Sequence, residues 1–332
     1  MTKTPWSLTR AALASLSVVA ALGLASCDTT EQETNAAAKP VELARYLPKN
    51  TQFVQAVDVV KAREELELPE DANALPTSYK TFPRAKSPEL ELFVMTSNAY
   101  PDVRAVFANE FNGRGASPLD GTLIRAAAGD GNASIVSTAE PTEDIERKLK
   151  LAGYSTRGKF YVAGEKTVAP SRFVADAGSG RFVFAAEEKD AQEILRRIRN
   201  DASPGEAADA LEPAAGSVRL ALTNDDKRSC VTAFSAAMEA TGEGAALVLI
   251  ISGDKPDPDR FDPKSLKGLA TGKPTVLVDA LIVPIRVKKP LRDGLNALEQ
   301  VLGSHSKADV VYAGRHTLKE IVPAPFKSYD CP

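Results

Sequence analysis

Glycine-centred reversals between short apolar runs constrain the fold of this chain more than any other feature. Residues 123–128 and 133–137 flank Gly129-Asp130-Gly131, and residues 172–176 and 181–185 flank Ala177-Gly178-Ser179-Gly180. Glycine reaches positive φ without steric cost, which a tight reversal requires, so each set predicts an antiparallel hairpin. Residues 309–313 and 315–322 around Gly314 predict another. Stretches of helical period alternate with them. Ala191, Ile194, Leu195 and Ile198 recur at i, i+3, i+4 and i+7, a stripe that one helix face buries. Pro141 opens a helix through Ile145 and Leu149 that stops at Gly153, and Pro290 opens one lined by Leu291, Leu295, Leu298 and Leu302. Hairpins mixed with helices predict the α+β class: antiparallel sheets with amphipathic helices packed on one face, in two similar-sized subdomains.

The remaining elements follow from period and punctuation. A short helix is expected over 41–46, a half-buried strand over 53–59 and a helix over 60–68. Further strands are expected over 90–95, 160–162, 218–222 and 246–251, and a helix from Pro101 with Val103, Val106 and Phe107 on one face. Residues 224–240 read as a helix presenting Val231, Phe234 and Met238, with Cys230 near its start. A long strand is expected over 275–287, with Pro284 at an edge or bulge because proline lacks the ladder N–H. Arg196, Arg197 and Arg199 are placed on the solvated side of their helix, near its negative dipole end.

The first residues carry an address. Lys3 and Arg10 precede an uncharged run from Ala11 to Ser26, followed by Cys27. A basic segment, an apolar stretch and small residues form the three-part layout of an export signal. The run is shorter than the roughly 20 apolar residues of a spanning helix and includes Ser15, Ser17 and Gly23. Nothing from Asp28 onward is apolar for long enough to cross a membrane as a helix.

Leu24-Ala25-Ser26-Cys27 resembles the lipobox of bacterial lipoproteins, an aliphatic residue, two small residues and cysteine, and all four positions match. The resemblance implies that a diacylglyceryl group is attached to Cys27, that residues 1–26 are removed, and that the protein is held on the extracytoplasmic side of an envelope membrane. It also gives Asp28 a meaning, since aspartate after the lipidated cysteine retains enteric lipoproteins at the inner membrane. Residues 27–39 then form a lipidated flexible tether; without large apolar side chains it packs no core, and twelve such residues reach roughly 20 Å. Beyond it come a first α+β region over 40–200, a linker or long loop over 201–216 containing Pro204, Gly205, Pro213 and Gly216, and a second α+β region over 217–332. Leu47-Pro48 and Thr51, leading into a strand and a helix, resemble the opening of an exported bacterial family of unknown function. No site comes with that resemblance.

Cys27, Cys230 and Cys331 are the three cysteines of the chain. Lipidation of Cys27 leaves an even pair in a compartment where disulfides persist, so Cys230 and Cys331 are expected to bridge; two reduced buried cysteines are the alternative. Removing Lys3 and Arg10 from 41 basic residues leaves 39 against 44 acidic ones, a formal charge of −5. That balance argues against nucleic acid and against an anionic surface as partners.

No motif for catalysis, cofactor or metal meets its own requirements. Gly268-Leu-Ala-Thr-Gly272-Lys273-Pro274-Thr275 has three residues between its glycines where a phosphate-binding loop needs four, and Pro274 displaces the hydroxyl. Ser304 and Lys307 have the Ser-x-x-Lys spacing of penicillin-binding proteins without the partner motifs. His305 and His316, the two histidines, have no nucleophile signature beside them. Asp254, Asp257, Asp259 and Asp262 fall within nine residues and suit a hard cation such as calcium. Pro256 and Pro258 stiffen that segment, Lys255 and Arg260 offset half its charge, and a solvated loop is the expected reading.

The expected function is therefore non-enzymatic: a lipid-anchored envelope protein that binds or scaffolds, without cofactor, through an unknown protein or small-molecule partner. Two alternatives stay open here. A ligand-binding lipoprotein of an uptake system would use a cleft between two halves, and an exported hydrolase would draw on the scattered acidic residues.

Overall fold

Strand β1 (Phe53–Asp58) lies within a thirteen-stranded sheet whose paired strands are all antiparallel. The computed structural model describes residues 39–68, 99–100, 119–167, 169, 171–213, 215–223, 231–241, 244–253, 257–260, 270–277 and 279–287. On one side of β1 come β2 (Ile124–Gly129) and β3 (Ala133–Thr138), the first glycine hairpin. Gly131 takes φ 88° there, as the reversal demands. Beyond β3 the order is β7 (Arg181–Ala185), β6 (Phe173–Gly178), β5 (Phe160–Ala163) and β4 (Tyr154–Arg157). On the other side of β1 come β8 (Val218–Thr223), β9 (Val231–Thr241), β10 (Gly244–Gly253) and β13 (Ala280–Val287). The short strands β11 (Ala270–Thr271) and β12 (Thr275–Leu277) both pair with β13. Because β8 pairs with β1, from Phe53↔Leu222 to Val57↔Val218, one sheet runs through both regions of the chain.

Among the described residues the helices are α1 (Pro40–Ala44), α2 (Val59–Glu65), α3 (Thr142–Leu151), α4 (Glu188–Arg199) and α5 (Glu206–Asp209). They do not share one face, which corrects the expected arrangement. One face carries Phe53, Val57, Val136, Phe182, Phe184, Leu222, Leu249 and Val283, with Val59 and Ala62 of α2 and Ile145 and Leu149 of α3 packed on it. The opposite face carries Ala56, Ala126, Ala128, Ala133, Ala175, Ala185 and Ala221 together with Val54, Ile135 and Val183, and Leu43 of α1, Ile194 of α4 and Ala207 of α5 lie against it. Alanine is too small to stand out in an alternation pattern, so the alanine-rich part of this face leaves little periodic signal. Its shallow surface lets helices lie close, and burial on both faces produces a three-layer core.

The expected helix over 224–240 is also corrected: residues 231–241 form β9, an eleven-residue strand. Its alanines favour helix locally. In the fold Ala236 is paired with Leu220 on one side and Leu249 on the other, and Phe234, Ala236 and Met238 bury at period two. Ladder bonds on both edges and burial against β8 and β10 outweigh the intrinsic preference. The expected long strand over 275–287 is two, β12 and β13, joined by a tight turn with Leu277 opposite Ala280. Pro284 pairs with Val248, and its carbonyl accepts from the Gly272 N–H at 2.8 Å. Its missing N–H therefore faces the break between β11 and β12.

The expected placement of Arg197 is corrected as well. It is 4% exposed rather than solvated, and its Nη2 donates to the carbonyls of Arg45 and Ser203. The other two arginines of that turn, Arg196 and Arg199, are exposed. Among the described residues no helix is long and apolar enough to cross a membrane, which says nothing of strands.

Candidate functional site

A hollow among the described residues lies at one end of the sheet. It is built from the segment entering β1, the β2–β3 turn and the junction of β7 with α4. The cleft measures about 400 Å³ and is lined by Asn50, Thr51, Asp130, Asn132, Lys189 and Asp190, among others. A second hollow of about 490 Å³ uses the same Asn50-Thr51-Gln52 edge and adds Lys49, Glu193, Glu206 and Thr223. Each wall follows from local sequence. The Asp130-Gly131 turn places Asp130 at the rim, and the chain leaves β7 through Glu187 into the first turn of α4.

Asp130 is the most constrained group in the cleft. Its Oδ1 accepts the N–H of Asn132 and of Ala133, each at 2.8 Å, and its Oδ2 lies 3.4 Å from the Thr51 hydroxyl. Burial pushes its carboxyl above the usual range and the charge of Asp190 adds to this, while the two backbone N–H bonds oppose it. Asp190 is likewise raised by burial and by Glu187, with Lys189 pulling the other way. Lys189 pairs with Glu187 at 2.6 Å on the surface. The cleft is thus acidic, with one exposed cation at its edge. The Asp130 carboxylate closes a hairpin turn and ties it to the segment before β1. Asp130 had no signal in the sequence beyond an aspartate-glycine turn, and its joining to Thr51 and Asp190 is a product of tertiary structure.

Most of the residues singled out in sequence lie outside the described residues: Cys27, Cys230, Cys331, Asp254, Asp262, Gly268, Ser304, Lys307, His305 and His316. The strand expected over 90–95, the helices from Pro101 and Pro290 and the hairpin around Gly314 do so too. Asp257 and Asp259 are described. They flank the start of a single 3-10 turn, Pro258–Arg260, and the Asp259 N–H donates to the Asp257 carboxylate at 2.9 Å. Gly272 and Lys273 sit at the break between β11 and β12, in a turn between strands. Among the described residues no group of three or more His, Cys, Asp or Glu side chains is arranged to hold a metal ion.

Neither a protein-family model nor a curated protein matches the chain. Among solved structures, crystal forms III and I of TP0453 each superpose with a TM-score of 0.44 at 11% identity. The match covers 79% of this chain and 99% or 98% of TP0453. Crystal form IV gives 0.43 at 12% identity. Superpositions of that quality carry neither fold nor function across.

Proposed function

We propose that this chain is a lipid-anchored protein of the cell envelope, held to the extracytoplasmic side of a membrane through Cys27, with a binding or scaffolding role rather than a catalytic one. The observation that carries the anchor is the match at all four positions of Leu24-Ala25-Ser26-Cys27, placed directly after an uncharged run and a basic start. Two or three acyl chains on one residue hold a protein stably without a basic helper surface, which suits a mature charge of −5. The binding role is supported by the end-of-sheet cleft. Its walls are the connections at the ends of β1, β2, β3 and β7, and Asp130 accepts two N–H groups that close its turn and lies within reach of the Thr51 hydroxyl. A group so committed holds a surface in shape and is poorly placed to shuttle protons.

Metabolic labelling with palmitate, followed by membrane fractionation, tests the anchor. The wild-type chain should take up label and sediment with membranes, whereas Cys27→Ser should do neither. Equal labelling of the two, or a wild-type chain recovered entirely in the soluble fraction, rejects it. For the binding role, pull-down from solubilised envelope should recover a partner whose capture is lost when Asp190 and Glu187 are both neutralised. Turnover by a broad hydrolase panel would overturn the non-catalytic reading.

A further inference from the structure

The cleft beside Asp130 and the second hollow beside Glu206 share Asn50, Thr51 and Gln52, so the two adjoin across the segment that enters β1. What they offer a ligand depends on which of their groups are already used. Asp130 gives Oδ1 to the N–H groups of Asn132 and Ala133. Glu187 is held by Lys189 and Glu193 by Arg196, each at 2.6 Å. Lys49 and Glu206 add one charge of each sign in the second hollow. By contrast, the side chains of Asn50, Asn132 and Asp190 make no hydrogen bond or ion pair among the described residues. Asn50 and Asn132 are exposed, Asp190 is half-buried, and all three line the same cleft of about 400 Å³.

An amide donates through its NH2 group and accepts through its carbonyl, and a carboxylate accepts through both oxygens. The uncommitted groups therefore hold donors and acceptors side by side, and a ligand that satisfies them must supply both kinds. An ammonium group only donates and a phosphate dianion only accepts. A hydroxyl does both through one atom. The apolar lining is slight: Phe53 is buried, which leaves Pro48 and Ala186. Apolar side chains of a peptide would find no pocket there, and each wall group they covered would lose its water without gaining a partner. A sugar ring carries a hydroxyl on most of its carbons and can pair with such a wall throughout.

We propose that this cleft binds a neutral oligosaccharide, with the Asn50 and Asn132 amides and the Asp190 carboxylate as its hydrogen-bonding ligands. The inference rests on the binding role assigned to the cleft above and names its ligand class. Asp190 accepts from two neighbouring hydroxyls of one ring, while each amide donates one bond and accepts another. Beyond the shared Asn50-Thr51-Gln52 edge, the second hollow of about 490 Å³ gives room for a further ring. A short chain of sugars therefore fits better than a single one.

Calorimetric titration of the full-length chain in a polyoxyethylene detergent, which carries no sugar, tests the site. The probes are tri-N-acetylchitotriose and maltotriose, with spermidine and trialanine as the cationic and peptide comparisons. At least one trisaccharide should bind saturably, and neither comparison compound should. The double variant Asn50→Ala, Asn132→Ala should weaken that binding about tenfold, the size of a net hydrogen bond or two. Its melting temperature should match wild type, because both side chains are exposed and unbonded. Absence of saturable trisaccharide binding, equal affinity in the double variant, or binding of spermidine or trialanine in place of the sugars overturns the proposal. A protein partner captured through Asp190 and Glu187, with no trisaccharide bound, removes the oligosaccharide and leaves the binding role standing. Cleavage of a bound trisaccharide keeps the sugar site and removes the non-catalytic reading.

Discussion

Gly216 lies directly against the backbone of Met238: a methyl group on its α-carbon would fall 2.8 Å from the Met238 carbonyl oxygen and 2.9 Å from its nitrogen. Met238 is in β9, held by β8 on one side and β10 on the other, so its backbone cannot retreat. Next to Gly216, the Ser217 hydroxyl donates to the Glu65 carboxylate at 2.6 Å. This close approach seats the start of β8 and the end of α2 against the same strand. Gly216→Ala is expected to cost roughly 1–3 kcal/mol, the range for a forced overpacking. Urea unfolding measures it, and an unchanged midpoint would contradict the contact.

The Glu140 carboxylate is 2% exposed, accepts the Asp120 N–H at 2.7 Å and is paired with the Lys148 ammonium of α3. Removing the cation alone leaves a buried carboxylate uncompensated. Lys148→Met is expected to destabilise by roughly 3 kcal/mol, the low end for a buried pair broken from one side, because Lys148 is itself 31% exposed. Glu140→Gln keeps an acceptor for Asp120 and should cost less. Thermal unfolding of the two variants checks the order; if Glu140→Gln proves the more damaging, the pair is not what holds α3 here.

Asp130 and Asp190 should make the protein less stable as pH rises. Both carboxyls are raised above their ordinary value of 3.8, chiefly by burial. A group whose folded-state affinity for protons is the higher contributes stability below its unfolded value, and that contribution is lost as pH climbs through the folded one. Asp120 and Glu193 are lowered and act oppositely, losing stability as pH falls. Asp130→Asn retains an acceptor for the Asn132 and Ala133 N–H groups and should flatten the decline between the unfolded value and neutrality. Melting temperatures from pH 4 to 7 should show the variant gaining on wild type as pH increases; parallel curves would argue against a raised Asp130 carboxyl in the folded protein.

Cys230 and Cys331 are expected to form a disulfide closing a loop of about 100 residues, worth roughly 4–5 kcal/mol in the chain-entropy picture. With Cys27 acylated, thiol labelling of the denatured, unreduced mature protein should find no free sulfhydryl. Two free thiols would refute the bridge.

Much of the strand and hairpin pattern among the described residues was legible in sequence, because glycine turns and period-two burial are local signals. The hairpins β2–β3 and β6–β7 and helices α3 and α4 fall where punctuation puts them. β9 did not, since its alanine-rich sequence satisfies a helix equally well and only its neighbours at Leu220 and Leu249 decide the matter. The cleft was not legible at all. Thr51, Asp130 and Asp190 are far apart in the chain, and no local signal joins them.

By itself, the sequence determined the expected address at Leu24-Ala25-Ser26-Cys27, the turns at Gly131 and Gly178, and the apolar stripes of α3 and α4. These depend on residues within a few positions of one another. Tertiary structure alone decided that helices cover both faces of the sheet, that β8 joins β1, and that Arg197 is buried against Arg45. The physical reason is the same in each case. Close packing on a layer of alanines and pairing with a distant strand are energies of contact between remote segments, and they have no local period to announce them.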